Sequence, residues 1–161
     1  MIKIIGIVGW KDVGKTFFAE EVIKLLVSKG YKVGSIKHAH HTFDIDKPGT
    51  DSFKHRNAGS TQVIISSSRR WAKIVENKNK EEKSLQDLMS EFKDIDIVVV
   101  EGYKKENHPK IEIFEKNSKS IHLETKNVIA LVSNELMESN IPVFKKNEKE
   151  MLVEFIIKKI L

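Results

Sequence analysis

Ile2-Lys3-Ile4-Ile5-Gly6-Ile7-Val8 leads directly into Gly9-Trp10-Lys11-Asp12-Val13-Gly14-Lys15-Thr16. The apolar run predicts a strand. Beyond it, Phe18, Val22, Leu25 and Leu26 recur at the spacing that covers one face of a helix. The segment between matches G-x-x-x-x-G-K-[ST] in the context the motif needs, strand before and helix after. Its spacing has a chemical cause. Two glycines let the backbone wrap so that successive N–H groups point inward, and the helix N-terminus adds partial positive charge. Lys15 then reaches the β- and γ-phosphates, and the Thr16 hydroxyl is a ligand for Mg²⁺. The stretch predicts a protein that binds a nucleoside triphosphate or its diphosphate.

A chain of 161 residues suits a single domain, residues 1–161, with one core. Hydrophobic content of 40% and charged content of 32% fit a soluble globular protein. The absence of cysteine excludes disulfides, thiolate metal sites and Cys nucleophiles, and fits a reducing cytoplasm. No apolar stretch approaches a membrane span, and a chain that starts at its first strand leaves no room for a signal peptide. The net charge of +5 comes from dispersed lysines with few aromatics between them, which describes a solvated surface better than a nucleic-acid face.

Gly30 marks the end of the first helix, and Tyr31 to Lys37 reads as a second strand. Lys37-His38-Ala39-His40-His41-Thr42-Phe43-Asp44-Ile45-Asp46-Lys47-Pro48-Gly49 has no steady period and is expected to be a loop. Thr50-Asp51-Ser52 caps a short helix that ends at Gly59. Thr61 to Ser66 and Trp71 to Val75 read as an antiparallel hairpin, and Ser84 caps a helix carrying Leu85, Leu88, Met89 and Phe92. Asp94 to Gly102 contains the β-branched run of a strand buried on both faces, hence parallel and central. Lys110 to Glu115 reads as an alternating strand, Val128 to Val132 as another buried one, and Ile141 to Phe144 as a short edge. Glu148 to Leu161 closes the chain as an amphipathic helix with Met151, Leu152, Phe155, Ile156 and Ile160 on its apolar face. Alternating strands and helices give an α/β, three-layer P-loop NTPase fold with a mostly parallel central sheet and one antiparallel hairpin. Ligand belongs at the carboxyl ends of the strands, where Gly9, His38, Glu101 and Ser133 converge.

Lys15 and Glu101 are the expected catalytic pair, with Thr16 and Glu101 serving the metal. Glu101 is either a direct or an indirect Mg²⁺ acid, or it orients the attacking water. Nucleotide contacts are expected from Gly9, Trp10, Lys11, Asp12, Val13, Gly14, Lys15, Thr16 and Phe17, with Lys37 and His38 beside them. Asn134 stands in the topological place to read a base, although no N-K-x-D tetrad occurs. His38, His40 and His41 admit three readings: phosphate or cofactor contact with Lys37, a transition-metal site, or a merely polar loop. Asp44 and Asp46 have the spacing to order that loop around Mg²⁺. Arg69 and Arg70 either clamp an anionic group or stand as surface charge at a turn. Asp96, at the far end of its strand, is expected to be structural.

Several of these passages together resemble the molybdopterin-guanine dinucleotide biosynthesis adaptor family, MobB. They are Gly9 to Thr16, Lys37 to His41 running into Asp44 to Ser52, Ala58-Gly59 with Gln62, Arg70-Trp71-Ala72, and Val100-Glu101-Gly102-Tyr103-Lys104. They come in family order and span residues 1 to about 134, with the His-rich passage the most specific part and Tyr103 standing where Phe is expected. The resemblance implies a cytoplasmic GTP-binding homodimer with weak Mg²⁺-dependent GTP hydrolysis. It implies work beside the molybdopterin guanylyltransferase, with Lys37 to Ser52 facing the partner, molybdopterin or its guanine dinucleotide. Slow turnover agrees with the lack of an evident Gln water-positioner or arginine finger. The rival readings are a P-loop small-molecule kinase with Asp44 or Asp46 as base, and a metallochaperone GTPase using the histidines. Nucleic acid and membrane are the least expected partners.

Overall fold

The computed structural model describes residues 2–39, 43–77, 81–116 and 118–161. In chain order the first elements are β1 (Lys3–Gly9), α1 (Lys15–Ser28), β2 (Val33–Lys37) and α2 (Asp51–Asn57). Next come β3 (Gln62–Ser66), β4 (Trp71–Val75), α3 (Leu85–Ser90) and β5 (Ile97–Glu101). The chain ends with β6 (Lys110–Ile113), β7 (Val128–Val132), β8 (Val143–Phe144) and α4 (Lys149–Ile160). These elements divide into two compact units, residues 1–38 with 85–161, and residues 39–84.

The larger unit is a six-stranded sheet in the order β2-β5-β1-β6-β7-β8, with every pairing parallel. The hydrophobic pattern explains that order. Ile97 to Val100 of β5 are wholly buried, as the unbroken β-branched run predicts for a strand covered on both faces. On one face, Phe18, Val22 and Leu26 of α1 meet Leu152, Val153 and Ile156 of α4 over Ile5, Ile7, Val99 and Ile111. On the other face, Leu85 and Met89 of α3 pack on Val98 and Val100, while Val8 and Leu131 are capped by Ile121. Asp96 accepts the Lys32 backbone N–H at 2.7 Å, the structural role expected of it.

One strand holds an unforeseen pair of charges, and one helix position needs correction. The strand at Lys110 lies between β1 and β7, so it has no solvent face, and both Lys110 and Glu112 are wholly buried. The Lys110 ammonium is satisfied by the backbone carbonyls of Glu106 and His108. The Glu112 carboxylate accepts the N–H groups of Ile121 (2.7 Å) and His122 (2.8 Å). Local carbonyls and amides thus supply what water would, so alternation in the sequence does not mean exposure here. On α4, Met151 faces solvent and Val153 takes the core position instead, because the buried stripe follows 152, 153 and 156.

The smaller unit holds α2 and the antiparallel hairpin β3–β4, with Gln62 opposite Val75 and Ser66 opposite Trp71. Both were legible in the sequence, down to the turn at Ser67, whose hydroxyl accepts the Arg69 and Arg70 N–H groups.

Candidate functional site

The nucleotide cradle begins where β1 stops. Asp12 (φ 63°) and Gly14 (φ 93°) both adopt left-handed backbone on either side of Val13. Alternating handedness turns successive N–H groups to one side, the concave nest that binds anions. Gly14 is also the N-cap of α1 and makes no side-chain capping bond, so the first-turn donors of that helix stay open to an incoming phosphate. Val13 is buried beneath the loop and anchors it. Its methyl group and the Ile113 carbonyl would lie 2.7 and 2.8 Å from a Cβ at position 9, which is why that position is glycine.

Lys15 folds back over this nest and its Nζ donates to the Trp10 carbonyl at 2.6 Å. Thr16 donates its hydroxyl to Glu101 Oε1 at 2.8 Å. Parallel register brings in the third partner, since Lys37 and Glu101 lie opposite each other on β2 and β5. Lys37 Nζ sits 3.3 Å from Glu101 Oε2 and 3.2 Å from Thr16 Oγ1. A hydroxyl and a carboxylate separated by 2.8 Å are hard oxygen donors close to the octahedral edge of about 2.9 Å that Mg²⁺ requires. The residues present therefore fit that ion. The Lys37 ammonium contacts Thr16 Oγ1 and the other carboxylate oxygen, Oε2, so a positive charge already stands beside the pair.

The structure groups Gly9 to Thr16, Lys37 and Glu101 at adjoining strand ends, as the sequence predicts. His38 joins them through its backbone N–H to the Glu101 carbonyl (2.9 Å), and its ring stacks on Tyr103 with centroids 4.5 Å apart. Phe17 turns its ring toward α4, where Lys149 Nζ lies 4.5 Å from its centroid, so its side chain belongs to the α1–α4 packing. Asn134 borders a separate hollow of about 510 Å³ next to the loop, shared with Trp10, Lys11, Val13 and Glu135. Its carboxamide oxygen accepts the Lys146 N–H at 3.0 Å, which leaves the NH₂ end as a donor.

Other sequence candidates have different employment. Asp46 accepts three hydrogen bonds from Arg56, which also binds Asp44 and Glu76. The Arg56 guanidinium holds the Asp46 carboxyl below its ordinary range, so Asp46 is a poor proton acceptor for a kinase. Arg69 and Arg70 are exposed at the β3–β4 turn. His40 and His41 lie outside the described residues. Among the described residues no group of three or more His, Asp or Glu is arranged around a metal position.

Trp10 shows what sequence reasoning missed. Besides receiving Lys15 at its carbonyl, it donates its indole N–H to the Lys119 carbonyl, and Lys104 Nζ lies 4.0 Å from its ring centroid. Burial depresses the Lys104 pKa, and the neighbouring Lys15 ammonium lowers it further against partial relief from Glu112. The available signal was position, because Lys104 follows the strand-end acid Glu101 by three residues.

The family model for molybdopterin guanine dinucleotide synthesis protein B matches residues 4–134. The chain belongs to the MobB family. A MobB relative from Escherichia coli (strain K12), described as a molybdopterin-guanine dinucleotide biosynthesis adapter protein, is 35% identical over 98% of this chain and 93% of its own length. One from Haemophilus influenzae with the same description is 34% identical over 96% of this chain and 88% of its own. A crystal structure of molybdopterin-guanine biosynthesis protein B superposes with TM-score 0.79 at 26% identity, covering 96% of this chain and 98% of that one. The crystal structure of Bacillus subtilis MobB reaches TM-score 0.80 at 22% identity, with 99% of each chain covered, and shows the shared fold.

Proposed function

We propose that this protein is a GTP-binding adaptor of molybdopterin guanine dinucleotide biosynthesis, working beside the guanylyltransferase that joins GMP to molybdopterin. The observation that carries it is the phosphate nest closed by Lys15 and flanked by Thr16, Glu101 and Lys37. The relatives bear the adapter name and resemble this chain over nearly its whole length. Lys15 with the nest amides binds the outer phosphates. Thr16 and Glu101 hold Mg²⁺, which neutralises phosphate charge when bound, and Lys37 gives way to it.

Base choice follows from the hollow beside the loop. With one bond to its oxygen from the Lys146 N–H, Asn134 has its NH₂ donors to offer. Guanine presents acceptors at O6 and N7 and a donor at N2, so the Asn134 amide and the Glu135 carboxylate complement it. Adenine replaces the O6 acceptor with a donor, which leaves the Asn134 amide only a ring nitrogen to donate to.

Hydrolysis is slow in this reading. All three arginines of the chain, Arg56, Arg69 and Arg70, fall in the segment 39–84, so the unit carrying the phosphate loop has no arginine of its own. The protein works in the cytoplasm as a homodimer, and no helix among its described residues is long and apolar enough to cross a membrane.

The test is calorimetric titration of GTP and ATP with Mg²⁺, repeated in the presence of molybdopterin guanylyltransferase. Guanine preference together with binding of the enzyme supports the adaptor. Preference for ATP, or no association with the enzyme, overturns it.

A further inference from the structure

Lys104 occupies an unusual place for a lysine. It lies on the segment leaving the carboxyl end of β5, and β5 pairs with β1 so that Ile7 sits opposite Glu101. Since β1 ends in the phosphate loop, the segment after Glu101 emerges alongside that loop. There the Lys104 ammonium rests on the ring of Trp10, whose carbonyl holds the Lys15 ammonium. One residue of the phosphate loop therefore carries two cations. Among the described residues no carboxylate lies within ion-pair distance of Lys104. Glu112 is near enough to be felt, but its oxygens are taken by the Ile121 and His122 amides.

A half-buried ammonium with three donors, a ring face for company and a like charge beside it is a site short of an anion. A ring face holds a lysine only weakly. A phosphate oxygen offers a charge-assisted hydrogen bond, roughly twice as strong as a neutral one. The direction of approach selects the phosphate. The nest amides and the start of α1 would take the inner phosphates. Lys104 comes from a different strand and meets Trp10, the same loop residue that holds Lys15, the lysine the motif assigns to the outer phosphates.

We propose that Lys104 reads the terminal phosphate: on binding of a nucleoside triphosphate its ammonium leaves the Trp10 ring for a γ-phosphate oxygen, so that Lys104 separates triphosphate from diphosphate. The proposal rests on the phosphate-loop reading above. Burial and the Lys15 ammonium both depress the Lys104 pKa, and an anion bound between the two lysines would offset their repulsion. A purely structural Lys104, holding Trp10 in place, would support diphosphate and triphosphate alike.

The full chain and its Lys15→Ala, Lys104→Met and Lys104→Arg variants are titrated calorimetrically with GTP and with GDP in Mg²⁺. Lys104→Met is expected to lose about tenfold or more in GTP affinity while GDP affinity stays within about twofold, and Lys104→Arg to recover most of the difference. Equal losses for both nucleotides, or no loss for either, overturn the proposal. Retained nucleotide affinity in Lys15→Ala overturns the phosphate-loop reading and this inference with it. Loss there combined with an unchanged GTP-to-GDP ratio in Lys104→Met overturns this inference alone.

Discussion

The two units of the chain hold themselves together by different means. In the larger one, more than twenty apolar side chains are buried around a parallel sheet, and α1 and α4 seal one face. In residues 39–84 the described buried apolar residues reduce to Val63. Arg56 does the joining there, bound to Asp44, Asp46 and Glu76 at 2.6 to 2.9 Å. Meanwhile Ile64, Trp71 and Val75 share one face of the hairpin and are 66%, 69% and 50% exposed. A region that leaves its large apolar residues in water while resting on a guanidinium is poorly stabilised by burial and well supplied with contact surface. The larger unit has the structure of a binding body, and the smaller one offers the exposed apolar face that the proposed homodimer would use as a docking element.

The largest expected effect breaks the binding body. Lys15→Ala should weaken GTP by about a hundredfold or more, since it removes a cation from two phosphates, while circular dichroism stays unchanged. Unaltered affinity would sink the assignment of the loop. Next, Arg56→Ala leaves Asp46 without its partner, and limited proteolysis should then cut first within residues 43–77. Cleavage that begins in the parallel-sheet unit would mean that the arginine is not what holds the smaller one.

The third prediction uses His108, which lies against Gly6 with both ring nitrogens buried and, among the described residues, without a hydrogen-bond partner. Burial, with help from Lys110, lowers its pKa from 6.5 to about 4. Below pH 6.5 the unfolded chain takes up a proton that the folded chain refuses, so this contribution to stability is complete above 6.5 and falls away toward pH 4. The loss over that window is on the order of 2–3 kcal/mol. Urea unfolding at several pH values should show it in the native protein and not in His108→Leu; parallel curves would remove His108 as the cause. The smallest effect concerns the docking element. Trp71→Asp should weaken self-association by about 1–2 kcal/mol in sedimentation experiments, with GTP affinity kept. A variant that dimerises normally would place the contact elsewhere.

Much of this was readable from the chain. The phosphate loop announces itself because its backbone geometry demands glycine, lysine and threonine at fixed spacing, and β5 because burial on both faces demands an unbroken β-branched run. The register that sets Lys37 beside Glu101 was not readable, since a parallel sheet joins strands far apart in sequence. Lys104 stood inside a quoted motif without a role, because nothing local says which ring its ammonium will meet. The placement of β6 between β1 and β7 was not readable either, because alternation at Lys110 and Glu112 does not say whether water or backbone groups will satisfy them. Met151 failed more simply, as neighbouring positions on a short helix differ little in apolar pattern.

That buried lysine and glutamate have one more consequence. Were β6 to slide by one residue during folding, Lys110 and Glu112 would swing to the α1–α4 side of the sheet, among Ile5, Phe18 and Leu152, where no carbonyl or amide awaits them. A slip of an apolar strand such as β5 would at least leave its buried run apolar on both faces. Beside β1, this polar pair makes any misalignment prohibitive, so the strand least like a core strand in composition works as the key that fixes how the sheet assembles.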